Sequence, residues 1–292
     1  MSDCPIDRPE TGMDLMANHK PPALTAYITA QKPPVELPPQ SPAQLSSDKQ
    51  MASPSYRLPV LDQDFLLSDS QRGMRFMLEY EKTEEIMRAW NIMSTVVVFG
   101  SARVREDGPG RQPFWYHEAR RFARMCSAHG TNPDPVTGER HNVICTGGGP
   151  GIMEAANRGA FEVGAPSIGL NITLPHEQFP NPYMTPELTM NFHYFAMRKM
   201  HFAMRARAIV AFPGGFGTFD ELFELLTLSQ TGKSTKSRFV LFDKAYWSGI
   251  VNFDALVSHG MISTADLDMI HYAETAEQAW ELIEHDQPKK QA

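Results

Sequence analysis

The chain has 292 residues, 42% of them hydrophobic, with 34 acidic residues against 27 Lys and Arg and a formal charge of −7. Net negative charge excludes broad binding to nucleic acid or an anionic membrane, while the length leaves room for one large or two ordinary domains with a substantial core. No run approaches the roughly 20 apolar residues of a membrane helix, and Asp3, Asp7, Glu10 and Asp14 break the basic-then-apolar order of a signal peptide, so a cytoplasmic protein is expected.

Cys4, Cys126 and Cys145 are scattered without a CxxC spacing. Neither a disulfide framework nor a zinc site follows, and no metal or cofactor is expected. Cys145 reads as a small buried residue.

Residues 1–60 carry nearly half of the 23 prolines, in doublets such as Pro21-Pro22 and Pro33-Pro34, without a periodic apolar face. They are expected to form a disordered or polyproline-like tail. Across 61–92, Met74, Met77, Leu78, Ile86, Met87 and Trp90 recur at helical spacings, which predicts a helical extension with Ser68 or Asp69 as its cap. It is expected to pack on the catalytic domain or on a second subunit.

From 93 to 286 short apolar runs alternate with helical patterns. The strands are expected at Ser94–Gly100, Asn142–Thr146, Ser167–Thr173, Ala208–Phe212, Arg238–Phe242 and Asp268–Tyr272. Helices are expected at about Pro113–Ala128, Ile152–Gly164, Tyr194–Arg207, Thr218–Gln230, Tyr246–His259 and Thr275–Ile283. This alternation predicts an α/β class, Rossmann-like: a doubly wound parallel sheet with helices on both faces.

Two of the strand ends open into glycine. One is Gly147-Gly148-Gly149-Pro150-Gly151, which lacks the third glycine of a dinucleotide fingerprint and reads as a turn holding phosphate or ribose, with Gly148 and Gly149 its substrate-binding residues. The other is FPGGFGTFDELFE, Phe212 to Glu224, where Gly214, Gly215 and Gly217 stand between an apolar strand and a helix. Bare backbone N–H groups and the positive helix end make such a junction an anion site. Ser101 and Arg103, just past the first strand, are candidate ligand neighbours. Gly232-Lys233-Ser234-Thr235 resembles a Walker A loop but lacks its first glycine and follows a helix.

In the helix before the second glycine turn, Phe195, Arg198 and Phe202 fall on one stripe, and an Arg on an aromatic stripe points to an ion pair or a ligand. Asp220 reads as a carboxylate favoured by the dipole of the first helical turn. Glu221 beside a bound phosphate needs a cation between them, which Arg198 or Lys199 can supply. Phosphate at the glycines, Arg nearby and a carboxylate at the ribose suit N-glycosidic cleavage, whose oxocarbenium-like transition state gains from negative charge at the sugar. A non-catalytic nucleotide or cofactor carrier is the alternative; an amino-acid decarboxylase would need a Schiff-base lysine with a pyridine-nitrogen partner.

FPGGFGTFDE resembles the PGGxGTxxE motif of the Lonely guy family, the cytokinin riboside 5′-monophosphate phosphoribohydrolases, older annotation of which reads lysine decarboxylase-like. Met197-Arg198-Lys199 and GGGPGIMEAANRGA at Gly147–Ala160 are similar as well, and the upstream helix, LPHEQ at Leu174–Gln178 and LTLSQTGK at Leu226–Lys233 resemble the longer bacterial members. The resemblance implies hydrolysis of AMP or an N6-modified AMP to free base and ribose 5-phosphate by a homodimer or higher homo-oligomer. It implies Arg198 and Glu221 as the catalytic pair, phosphate at Gly215, Gly217 and Thr218, and substrate contacts from Lys199 and Thr227. Glu177 corresponds to a family glutamate, and Glu154 stands where the family has a glycine.

Overall fold

The computed structural model describes residues 46–129, 131–174, 179–234 and 237–284. Two compact units part between Glu81 and Lys82. In the first, α1 (Asp48–Met51) and two 3-10 turns, Pro54–Tyr56 and Pro59–Leu61, bury no side chain. These residues fall in the stretch read as tail, whose first 45 residues lie outside the described ones. Next, α2 (Gln63–Leu67) is capped by Asp62, whose carboxylate accepts the Phe65 N–H at 3.2 Å. The predicted long helix, α3 (Arg72–Ala89), starts later than expected: Ser68 caps a 3-10 turn at Asp69–Gln71 instead. Its Met74, Met77 and Leu78 are exposed within this unit.

In the second unit seven parallel strands form one sheet: β1 (Thr95–Phe99), β2 (Val143–Thr146), β3 (Ser167–Ile172), β4 (Thr189–Phe192), β5 (Ala206–Ala211), β6 (Arg238–Phe242) and β7 (Ile270–Ala273). Their spatial order is β4-β3-β2-β1-β5-β6-β7. The connecting helices are α4 (Gln112–Ser127), α5 (Ile152–Phe161), α6 (Phe195–Met204), α7 (Phe216–Gln230), α8 (Lys244–Ile250), α9 (Phe253–Ser258) and α10 (Ala276–Glu284).

Alternation along the strands divides the core. Val96 and Val98 of β1, with Ala208 and Val210 of β5, pack among Phe122, Ala123, Ala155 and Ile283 from α4, α5 and α10. Val97, Phe99, Ile209 and Ala211 face the opposite way, among Phe202, Leu222, Leu226 and Trp247 from α6, α7 and α8. Strands buried on both faces account for the unbroken β-branched runs in the sequence. The predicted doubly wound parallel sheet is therefore what forms.

Three elements differ from expectation. β4 is a strand in a stretch for which no element is expected; its alternation is half exposed, as suits an edge, and it pairs with β3 with no α-helix among the described residues between them. The helix expected to run to Arg207 stops at Met204, because Ala206 already pairs with Thr95. The single helix expected at Tyr246–His259 is two, since extended Val251 ends α8 and Asn252 caps α9 by accepting the Ala255 N–H at 2.9 Å. Among the described residues no helix is long and apolar enough to cross a membrane.

The closest helix packing is between α4 and α5. Gly159 lies so near α4 that a Cβ there would stand 2.1 Å from the Arg120 carbonyl oxygen. Backbone cannot yield as a flexible side chain can, so Gly159→Ala is expected to destabilise the fold by about 1–3 kcal/mol. Urea unfolding should show a lowered midpoint with unchanged slope; an unchanged midpoint would mean the helices separate freely.

Candidate functional site

In an open α/β sheet ligands bind beyond the carboxyl ends of the strands, where the winding reverses. Here β1 is that point, with β2 on one side and β5 on the other. A cleft of about 1110 Å³ opens there, and its lining includes Gly100 to Val104 after β1, Gly147 after β2, Asn171 of β3 and Pro213 to Thr218 after β5.

The second glycine turn forms its floor. α7 begins at Phe216, two residues earlier than expected, and no side chain caps it. Its first N–H groups therefore face the cleft with only the bare helix end behind them. Gly214 is required by space: a Cβ would lie 2.1 Å from the Thr218 hydroxyl oxygen, and that hydroxyl belongs to a buried residue. Around Gly215 the same position is open. The turn is held from outside by the Tyr246 hydroxyl, which donates to the Gly214 carbonyl at 2.6 Å, and by Ser101, whose N–H donates to the Pro213 carbonyl at 3.1 Å.

Arg198 of α6 and Glu221 of α7 meet at the cleft wall in a buried, hydrogen-bonded ion pair, as the aromatic stripe suggests. The Arg198 guanidinium also lies 5.4 Å from the Phe195 ring centre and 5.5 Å from that of Phe202. Its Nε is buried without a partner among the described residues. Burial pushes the Glu221 carboxyl above the usual range, and the Arg198 charge opposes that shift without cancelling it.

The helix carrying Arg198 is anchored at its far end. Arg205 bonds Glu84 through both guanidinium nitrogens, at 2.6 and 3.0 Å, and donates from Nε to the Ile92 carbonyl. Arg205 in turn holds the buried Glu84 below the ordinary carboxylate range.

The other expected site residues divide. Gly214, Gly215, Gly217 and Thr218 line the cleft, as do Ser101 and Arg103. Lys199 lies beside the pair, but its ammonium bonds Asp220 and Glu224, each at 2.8 Å. That corrects the reading of Asp220: α7 starts early, so Asp220 is past the first turn and answers to Lys199 rather than to the dipole. Gly148 and Gly149 are buried one step behind the cleft, where their carbonyls accept from the backbone and side chain of Asn181. Thr227 sits three turns along α7, exposed, its hydroxyl donating to the Phe223 carbonyl. Glu177 lies outside the described residues. Glu154 accepts a hydrogen bond from Tyr116 at 2.9 Å and does not line the cleft.

Sequence reasoning missed Asn171, Trp115 and Tyr246 as cleft residues. Only the last carried a signal, an aromatic in the first turn of the helix that follows a strand. Leu174, Phe195 and Phe216 give the mouth an apolar rim, and Phe216 is 96% exposed, which sets it apart from the core. No lysine lines the cleft among the described residues, so the Schiff base of a decarboxylase has no candidate there.

A family model described as "Possible lysine decarboxylase" matches residues 153–283. A cytokinin riboside 5′-monophosphate phosphoribohydrolase of Arabidopsis thaliana, LOG2, is 28% identical over 151 residues, 51% of this chain and 70% of its own length. LOG7 of the same plant, bearing the same description, is 26% identical over 186 residues, 58% of this chain and 84% of its own. A solved molybdenum cofactor binding protein from the phototrophic bacterium Rippkaea orientalis is 18% identical, with a TM-score of 0.44 over 66% of this chain and 95% of its own. That last likeness bears on neither the site nor its ligand.

His201, one turn beyond Arg198, is buried with its pKa pushed down to about 4 from the ordinary 6.5, chiefly by desolvation, against the pull of Glu84. The folded protein thus disfavours the imidazolium. As pH falls below about 6.5 the unfolded chain takes up the proton first, and stability is lost until the folded histidine titrates near 4. The loss attributable to this residue is on the order of 3 kcal/mol. Denaturation midpoints measured from pH 7 to 4 should fall less steeply in His201→Phe; parallel curves would refute the assignment.

Proposed function

We propose that this chain, a relative of the Lonely guy family, is a nucleoside 5′-monophosphate phosphoribohydrolase that splits AMP or an N6-modified AMP into free base and ribose 5-phosphate. The observation that carries this reading is the buried Arg198–Glu221 pair beside an uncapped helix end in one cleft. A site that only bound a nucleotide would have no need to bury a carboxylate next to the sugar. The chain's likeness to LOG2 and LOG7 supports the same reaction class.

The phosphate occupies the glycine turn, accepting from the first N–H groups of α7. The base lies toward the apolar rim, where Phe195, Phe216 and Trp115 offer ring surfaces. Glu221 then faces C1′. As the C1′–N bond breaks, its electron pair leaves with the base and positive charge develops on the sugar, which the carboxylate stabilises more than it does the neutral ground state. A water held by the same carboxylate supplies the oxygen to C1′, and its proton is transferred to the departing base. Arg198 favours the ionised form of Glu221 against burial and holds it in place. Action in the cytoplasm as a homo-oligomer, and a part in making cytokinin-type bases, belong to the same proposal.

Incubation of the purified chain with AMP, GMP, CMP, UMP and isopentenyl-AMP, followed by chromatography, is expected to release base from AMP or its N6-modified form. Glu221→Gln should lower kcat by roughly a hundredfold to ten-thousandfold without loss of the fold. Thermal stabilisation by AMP with no base released from any monophosphate would favour a carrier and end this reading.

A further inference from the structure

The charges in the cleft do not yet account for a phosphate. Among the described residues, the charged side chains that line it are Arg103, Arg198, Asp220 and Glu221. Arg198 is held by Glu221, although its buried Nε has no partner among the described residues. Asp220 takes Lys199, whose ammonium it shares with Glu224. Lys199 therefore has two carboxylates around it already, and a phosphate brought alongside would be repelled by both. A bare helix end contributes about half a unit of charge, less than a phosphate monoester carries.

Arg103 is the remaining cation. It is exposed, lines the cleft, and enters no ion pair among the described residues. Its backbone is fixed to the phosphate turn itself. The Ser101 hydroxyl accepts the Arg103 N–H at 3.0 Å, the Ser101 N–H donates to the Pro213 carbonyl, and the Ser101 carbonyl accepts the Ile152 N–H at 3.2 Å. The loop after β1 is thus joined to both the α7 turn and the start of α5, and Arg103 leaves it two residues from the junction.

We propose that Arg103 is the phosphate-pairing cation of this site, its guanidinium gripping the 5′-phosphate from the β1 side while α7 holds it from the β5 side. The division of labour leaves Arg198 with Glu221 at the sugar and Lys199 with the acids of α7. It rests on the nucleotide reading above. Guanidinium presents a planar fork to two phosphate oxygens, which an ammonium cannot do.

The test is calorimetric titration of the full chain with ribose 5-phosphate, the fragment shared by every nucleoside 5′-monophosphate. Wild type is compared with Arg103→Ala, Arg103→Lys and Arg105→Ala; the last removes the same charge from the same loop, outside the cleft, where Arg105 faces Asp107 at 3.6 Å. Arg103→Ala is expected to weaken binding roughly tenfold and to flatten its salt dependence, with Arg103→Lys recovering part of the loss and Arg105→Ala changing it less than twofold. Circular dichroism checks that each variant is folded. Binding by folded Arg103→Ala or Arg103→Lys within twofold of wild type overturns the role of Arg103 alone, as does equal loss in Arg105→Ala. Wild type that fails to bind ribose 5-phosphate overturns the nucleotide reading with it.

Discussion

The constraint on which this site depends is the burial of one arginine against one glutamate beyond the carboxyl ends of the central strands. Taking either charge out of water alone is penalised by several kcal/mol, so Arg198 and Glu221 are tolerable only together. They arrive on different helices. α6 is positioned by Arg205, tied to Glu84 and the Ile92 carbonyl, and α7 by the glycine turn that Tyr246 and Ser101 hold. The ion pair thereby fixes two helices against each other at the place where the winding of the sheet reverses. It also leaves a carboxylate with a raised pKa and an arginine whose buried Nε has no partner among the described residues.

Much of this was legible in the sequence because parallel strands buried on both faces leave continuous apolar runs, and glycine turns mark their ends. The alternation of β1 between two cores follows directly from Thr95 to Phe99 being apolar or β-branched throughout. β4 was not legible: Thr189–Phe192 is an edge strand of four residues whose alternation is too short to stand out from a turn. The break at Val251 and Asn252 was hidden because apolar spacing continues across it, and an asparagine cap looks like any polar residue inside a helix.

At the site, an arginine on an aromatic stripe pointed to an ion pair or a ligand, with Arg198 or Lys199 open as the cation near Glu221; it is Arg198 that pairs with Glu221. Residue type did not foretell how Lys199 and Asp220 would be used, since that depends on which turn of α7 each acid occupies. A shift of two residues in the helix start moves Asp220 from the dipole to the lysine. Glu154 is the converse case. A charged residue in place of a motif glycine looks disruptive in sequence, yet it bonds Tyr116 of α4 away from the cleft.

The loop after β1 supplies one wall of the cleft from a part of the chain that carries none of the paired charges. Ser101 to Val104, with Gln112 and Trp115 beyond them, are separated in sequence from α6 and α7 by more than 75 residues, and a backbone bond from Ser101 to Pro213 joins this loop to the turn before α7. The ion pair and the wall beside it are therefore encoded apart. Substitutions in the β1 segment can re-shape the mouth of the cleft while the ion pair stays intact.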